Sequence, residues 1–261
     1  MNINIIKMID GTILIALITK NSNKWISNVL LNVEKYASFF SSYNTLIVDG
    51  YSTDNTKDIS DFWCSRDPIN RTFLLQATKN LNRMDSITEA RNTVINYYKS
   101  IFGKNVYLLL LDSDSPNHGP FNEIGFLSSF TCDFPWVGMF PNQVIKYYDL
   151  YALRDEFLTE NYQIRYNRLT WCDGSMQKAL TKYEKPKTHP SGFYPVVSAF
   201  GGAGLYNTQY IPENALYSSK EFYRYPSDGR QYLVDTCEHV VFNNKLIGNK
   251  FINCKWTISE H

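Results

Sequence analysis

Val106-Tyr107-Leu108-Leu109-Leu110-Leu111-Asp112-Ser113-Asp114-Ser115-Pro116 decides the fold of this chain. An apolar run of about six residues has the length of a strand buried on both faces, and Pro116 stops it. Asp112 and Asp114 therefore fall at the strand's carboxyl end. Ligands bind at that edge in open α/β sheets, and two carboxylates one residue apart can reach one hard divalent cation, Mn²⁺ or Mg²⁺.

Working outward, Thr12 to Thr19 reads as a first buried strand, followed by a helix with Trp25, Val29, Val33, Tyr36 and Phe40 at helical spacing and Asn21 or Ser22 as its cap. Thr45 to Val48 is a second strand, and Asp49 repeats the logic of Asp112 at its end. Ser52 is positioned to cap the next helix, which runs to about Cys64. Thr72 to Ala77 is a third strand. Ser86-Ile87-Thr88-Glu89 has the pattern of a capping box, and behind it Ile87, Ala90, Val94, Tyr98 and Ile101 form an apolar stripe. Arg91 falls inside that stripe. It either snorkels to solvent or turns its guanidinium to Asp49, Asp112 or a phosphate. Strands alternating with helices predict a mostly parallel, doubly wound α/β sheet with charged groups gathered at one edge.

The chain has 261 residues, 44% of them hydrophobic and 15% aromatic, enough to fill a core. With 26 basic and 25 acidic residues it has no global field to attract nucleic acid or an anionic membrane surface. Five dispersed cysteines without a Cys-x-x-Cys pair fit reduced thiols, not a zinc ribbon or a disulfide framework. The apolar run Ile13 to Ile18 is too short to span a bilayer, so the expectation is a cytoplasmic protein without a membrane anchor.

Past residue 116, four prolines among aromatics predict irregular structure over the metal edge instead of a long helix. Gly201-Gly202-x-Gly204 reads as a glycine loop after a strand over Val196 to Phe200, where backbone packs tightly or approaches a sugar. Tyr147, Tyr148, Tyr151, Trp171, Tyr194 and Tyr206 offer candidate sugar-stacking faces. Arg154-Asp155 reads as an ion pair or a sugar contact. Glu238, near the start of a helix beginning at Asp235 or Thr236, faces inward with Val241 and Phe242 and is a candidate general base, or else an N-terminal helix cap.

Three of these motifs in order resemble the glycosyltransferases of the GT-A fold. They are Val48-Asp49-Gly50-Tyr51-Ser52-Thr53-Asp54, Glu89-Ala90-Arg91-Asn92 and Asp112-Ser113-Asp114. Tyr148 to Asp155, Ser198 to Gly204 and Cys237-Glu238-His239 are similar to acceptor-side motifs of the fungal capsule-type mannosyltransferase group and of giant-virus glycosyltransferases. The resemblance implies a single GT-A-like, Rossmann-type domain over 1–261, with a nucleotide-sugar half (1–115) and an acceptor half (116–261). It implies metal-dependent transfer of a hexose from a nucleotide sugar, UDP-hexose first and GDP-mannose second, to a hydroxyl of a glycan or protein. The implied donor-binding residues are Thr19, Asp49, Arg83, Arg91, Asp112, Ser113 and Gly202. The implied metal ligands are Asp112, Asp114 and His261, and the catalytic residues Glu238 and Asp114. Gly50 departs from the pattern, standing where many relatives carry a second acid. A sugar-phosphate nucleotidyltransferase and an inactive carbohydrate-binding module on the same fold remain as alternatives, although Thr19 to Asn23 lacks the glycines the former needs.

Overall fold

The computed structural model describes residues 8–102, 106–155, 184–224 and 230–258. Its first strand, β1 (Ile9–Thr19), is the apolar run expected from the sequence, and consecutive residues serve opposite faces. Leu14 and Ala16 enter one core; Ile13, Ile15 and Leu17 enter the other. That two-sided burial is what a parallel strand covered by helices requires.

The chain continues as α1 (Ile26–Ala37), β2 (Phe40–Asp49), α2 (Thr56–Ser65), β3 (Arg71–Leu75), α3 (Arg83–Ile101) and β4 (Val106–Asp112). A short helix α4 (Glu123–Ser128) and the strands β5 (Trp136–Gln143), β6 (Phe193–Pro195) and β7 (Ala203–Asn207) follow. Then come a separate hairpin of β8 (Lys220–Arg224) and β9 (Gln231–Asp235), a helix α5 (Glu238–Lys245) and β10 (Asn249–Ile258). Eight strands form one sheet in the order β3-β2-β1-β4-β7-β5-β10-β6, so both halves of the sequence share it. β7 and β6 are antiparallel to their neighbours and the remaining pairings are parallel. Helices α3 and α5 pack on one face; α1, α2 and α4 pack on the other.

Several local expectations change. Helix α3 begins at Arg83, one turn earlier than Ser86, because Asn82 caps it by accepting from the Asp85 amide. Glu89 is thereby released from a capping box and accepts from the Thr78 amide instead. Ile101 is 55% exposed, and Ile95 takes its place in the buried stripe. Asn21 and Ser22 do not cap α1, whose N-cap is Trp25 without a side-chain bond; Phe40 opens β2 instead of closing that helix. Ser52 likewise caps nothing and binds Asp49. The 116–150 stretch is not all irregular, since β5 runs through Pro141. Pairing of β5 with β7 ends at Met139, so the amide that Pro141 lacks is not missed on that side. The glycines Gly201 and Gly202 precede strand β7 instead of following a strand. Cys64, Cys132, Cys237 and Cys254 are free thiols, and Cys172, like Trp171, lies outside the described residues. Among the described residues no helix is long and apolar enough to cross a membrane.

Candidate functional site

Register brings the site residues to one edge. Thr19 pairs with Asp49, and Ile18 pairs with Asp112, so three adjacent strands end within one residue of each other. After β1 the chain builds outward through β2 and β3, then returns to place β4 on the other side. This reversal is a topological switch point, where such sheets open a crevice. A cleft of about 680 Å³ lies there. Thr19, Arg83, Arg91, Asp112, Ser113, Asp114 and Glu238 all line it; Asp49 and Gly202 do not.

Asp49 is fully buried. Its Oδ2 accepts from Thr19 Oγ1 (2.9 Å) and Ser52 Oγ (2.6 Å), and its Oδ1 from the Ser52 amide (2.8 Å). With those donors engaged, its observed role is to fold the 49–52 turn and to hold Thr19. Gly50 packs beside Gln76, whose side chain exchanges hydrogen bonds with Ser86, so the base of the cleft is tied to helix α3.

Arg91 does not snorkel. It is 5% exposed, with Nη2 3.3 Å from Asp112 Oδ1, Nε 3.5 Å from Glu238 Oε1 and Nη1 3.0 Å from His239 Nδ1. Its guanidinium also lies over the Phe200 ring, 4.6 Å from the centroid. Burial opposes its charge, but Glu238 and Asp112 more than offset that and raise its pKa. Burial and the nearby Arg91 hold His239 well below its ordinary pKa, so the imidazole is neutral. Since Nδ1 accepts from Arg91, the network assigns its proton to Nε2, facing Glu238 Oε1 at 3.7 Å. Helix α5 starts at Glu238, with Cys237 as N-cap, two or three residues later than expected. Glu238 is nonetheless inward, 5% exposed, in the first turn.

Burial raises the Asp112 carboxyl to about 8; Arg91 opposes the rise and Asp114, Asp149 and Glu238 add to it. The side chain keeps 28% of its surface, so solvent screening trims the rise without reversing it. Asp114 is exposed at the cleft's mouth. Ser113 Oγ lies 2.8 Å from Ser22 Oγ, which ties the Asp112-Ser113-Asp114 turn to the loop after β1. Gly202, at φ +92°, sends its carbonyl to the Asp112 amide (2.9 Å) and to Asn117 Nδ2 (2.7 Å). A Cβ there would meet Pro116 at 2.7 Å. Gly202 therefore supports the aspartate turn from behind.

Two site residues escaped the sequence reading. Asn117 Nδ2 bonds both the Asp112 and Gly202 carbonyls, and no local pattern marks it. Asp149 lines the cleft, accepting from the Gly201 amide (2.9 Å) and the Ala152 amide (3.2 Å), with burial raising its pKa. Its place in the Tyr148 to Asp155 motif was the available signal. Of the aromatic candidates, Tyr148 and Tyr151 line the cleft, whereas Tyr147 and Tyr206 are fully buried and Tyr194 donates to Asp155. Arg154 bonds the Tyr151 and Leu153 carbonyls. His261 lies outside the described residues.

No protein-family profile matches the chain, and no curated protein matches it in sequence. Solved structures do. TarS 1-349 of S. aureus in complex with UDP aligns with 95% of this chain at TM-score 0.50 and 14% identity. The chain spans 60% of that TarS chain's length. The mannosyltransferase PcManGT of Pyrobaculum calidifontis, in complex with GDP-Man and Mn²⁺, aligns with 93% of this chain and 56% of its own at TM-score 0.44 and 12% identity. Glucosyl-3-phosphoglycerate synthase of Mycobacterium tuberculosis, with UDP, aligns with 80% of this chain and 60% of its own at TM-score 0.42 and 11% identity. The mostly parallel sheet flanked by helices is shared with the TarS structure, a likeness of fold.

Proposed function

We propose that this chain is a glycosyltransferase that moves a hexose from a nucleotide sugar to a hydroxyl acceptor at the switch-point cleft. One observation carries the reading: a cleft of about 680 Å³, within the range that small-molecule ligands occupy, joins the exposed carboxylate of Asp114 to a buried Asp112-Arg91-Glu238 network. UDP-hexose is the donor of first choice and GDP-mannose the second, with a glycan or protein hydroxyl as acceptor. The GT-A likeness supports the class of fold, and the expected acceptor-side motifs, including their likeness to fungal capsule-type and giant-virus enzymes, support the division of labour. The expected setting is the cytoplasm.

The donor set suits a hard divalent ion. Among the described residues no group of three His, Cys, Asp or Glu side chains converges, but Mg²⁺ and Mn²⁺ sites in such enzymes use one or two carboxylates and complete their shell with substrate phosphates and water. Asp114 and Asp112 would hold it, with His261 a further candidate. Bound there, the ion would neutralise charge on the departing diphosphate.

The chain's own residues do the rest. Arg91 fixes one Asp112 oxygen and one Glu238 oxygen through the same guanidinium, coupling the donor edge to the acceptor wall. Glu238 accepts the acceptor hydroxyl's proton, held in orientation by Arg91 and His239. Tyr148 and Tyr151 narrow the cleft and exclude water. Titration calorimetry with UDP and GDP, each with and without Mn²⁺, tests the donor half of the reading. Metal-dependent binding of one nucleotide is expected, and binding of neither would refute it.

A further inference from the structure

A second pocket, of about 480 Å³, opens on the same edge of the sheet, beyond strand β7. It is lined by the ends of β5 and β10 and by the 186–192 loop, and shares no residue with the first cleft. Its wall carries Lys187, Lys255 and His189 together with the polar groups of Asn142, Ser191 and Gln143, and no lining residue is acidic. Such a lining selects an anion.

The pocket is built, not a chance meeting of surface lysines. Lys187 is 7% exposed; the Asn142 side chain clamps its backbone, donating to the Lys187 carbonyl (2.8 Å) and accepting from its amide (2.9 Å). Burial pulls the Lys187 ammonium down to about 8, with Asp155 partly offsetting this, so an incoming anion would stabilise its charged form. Lys255 lies across Gly192, whose φ of +81° turns the loop beneath it.

The walls of the two cavities are linked through the glycine pair. Gly202 accepts from the Asp112 amide, and Gly201 accepts from Gln143 Nε2 (3.0 Å) while donating to Asp149. Asp112 and the end of β5 are two strand positions apart across β7, a separation of about 10 Å. We propose that this second pocket seats a phosphate group carried by the acceptor, so that the substrate is a phosphorylated polyol or glycan whose free hydroxyl reaches Glu238. This rests on the transferase reading for its second half only; anion capture stands by itself.

Calorimetry on the full chain separates the two. Inorganic phosphate and glycerol phosphate are titrated with and without saturating UDP and Mg²⁺, into wild type, Lys255→Met and Lys187→Met. Both ligands should bind wild type, bind equally well beside UDP, and bind at least about tenfold more weakly to the lysine variants. Lys255 is exposed, so its variant decides the matter if Lys187→Met does not fold. Absence of phosphate binding, binding unchanged in the variants, or displacement by UDP would overturn the proposal. Binding of inorganic phosphate without glycerol phosphate would overturn the acceptor assignment. A failure of UDP and GDP alike to bind would count against the transferase reading and leave the phosphate result standing.

Discussion

Replacing Arg91 by Met removes the guanidinium that pairs with both Asp112 and Glu238, while keeping an unbranched apolar side chain over Phe200 and Tyr217. Breaking a buried ion pair by deleting one partner costs about 3 to 5 kcal/mol, because the surviving charge stays desolvated. For a chain of this size that corresponds to a melting temperature lower by about 6 to 20 °C. The loss depends on pH. Asp112, already raised to about 8 with Arg91 present, moves higher without it. Between the ordinary carboxyl value near ~4 and that raised value the folded variant holds a proton the unfolded chain has released, so its stability falls as pH rises. Wild type, its own Asp112 titrating at about 8, loses stability in step with the variant below that value, so the deficit relative to wild type should be larger at pH 9 than at pH 6. Thermal and urea unfolding at both pH values read it directly. A loss below about 1 kcal/mol at both would mean that Arg91 contributes only packing, and the network would not be the organising feature of the cleft.

Other expectations concern single groups. Glu238→Gln should lower transfer by about two orders of magnitude with nucleotide binding intact, and transfer within a few-fold of wild type would reassign the proton to another group, with Asp149→Asn as the next variant to assay. Gly202→Ala forces a side chain into positive φ and against Pro116; a stability loss of about 1 to 3 kcal/mol by chemical denaturation, with weaker metal binding, is expected, and an unchanged midpoint would argue against strain. Because Asp112 is held protonated by burial, without divalent ion the wild-type midpoint should fall between pH 5 and pH 8, and Mn²⁺ should raise it more at the upper end. A Mn²⁺ effect independent of pH would place the ion elsewhere.

The sheet edge was legible because the signal is short-ranged. Six apolar residues ending in Asp112, and a second run ending in Asp49, specify parallel buried strands whatever packs on them, and register then aligns their ends. Arg91 was conspicuous as a charge in an apolar stripe, but its partners were not. Glu238 and His239 reach it from 147 and 148 residues away. Asn117 and Asp149 act through backbone groups of Gly201 and Gly202, contacts that exist only after β7 inserts antiparallel between β4 and β5. Pro141 misled for a related reason. Proline argues against a central strand unless the neighbouring ladder stops short of it, and the end of the β7 pairing is a tertiary fact.

The central claim is that Asp114 serves a nucleotide-sugar reaction at the cleft. Wild type and Asp114→Asn should be assayed for nucleoside diphosphate release from a panel of sugar nucleotides with Mn²⁺, Mg²⁺ or chelator. The account predicts release from one donor by wild type that chelator abolishes, and loss of most of it in Asp114→Asn while the melting temperature stays within a few degrees, because an exposed carboxylate contributes little to stability. Equal turnover by the variant in chelator, or no release from any donor by the folded wild type, would contradict it.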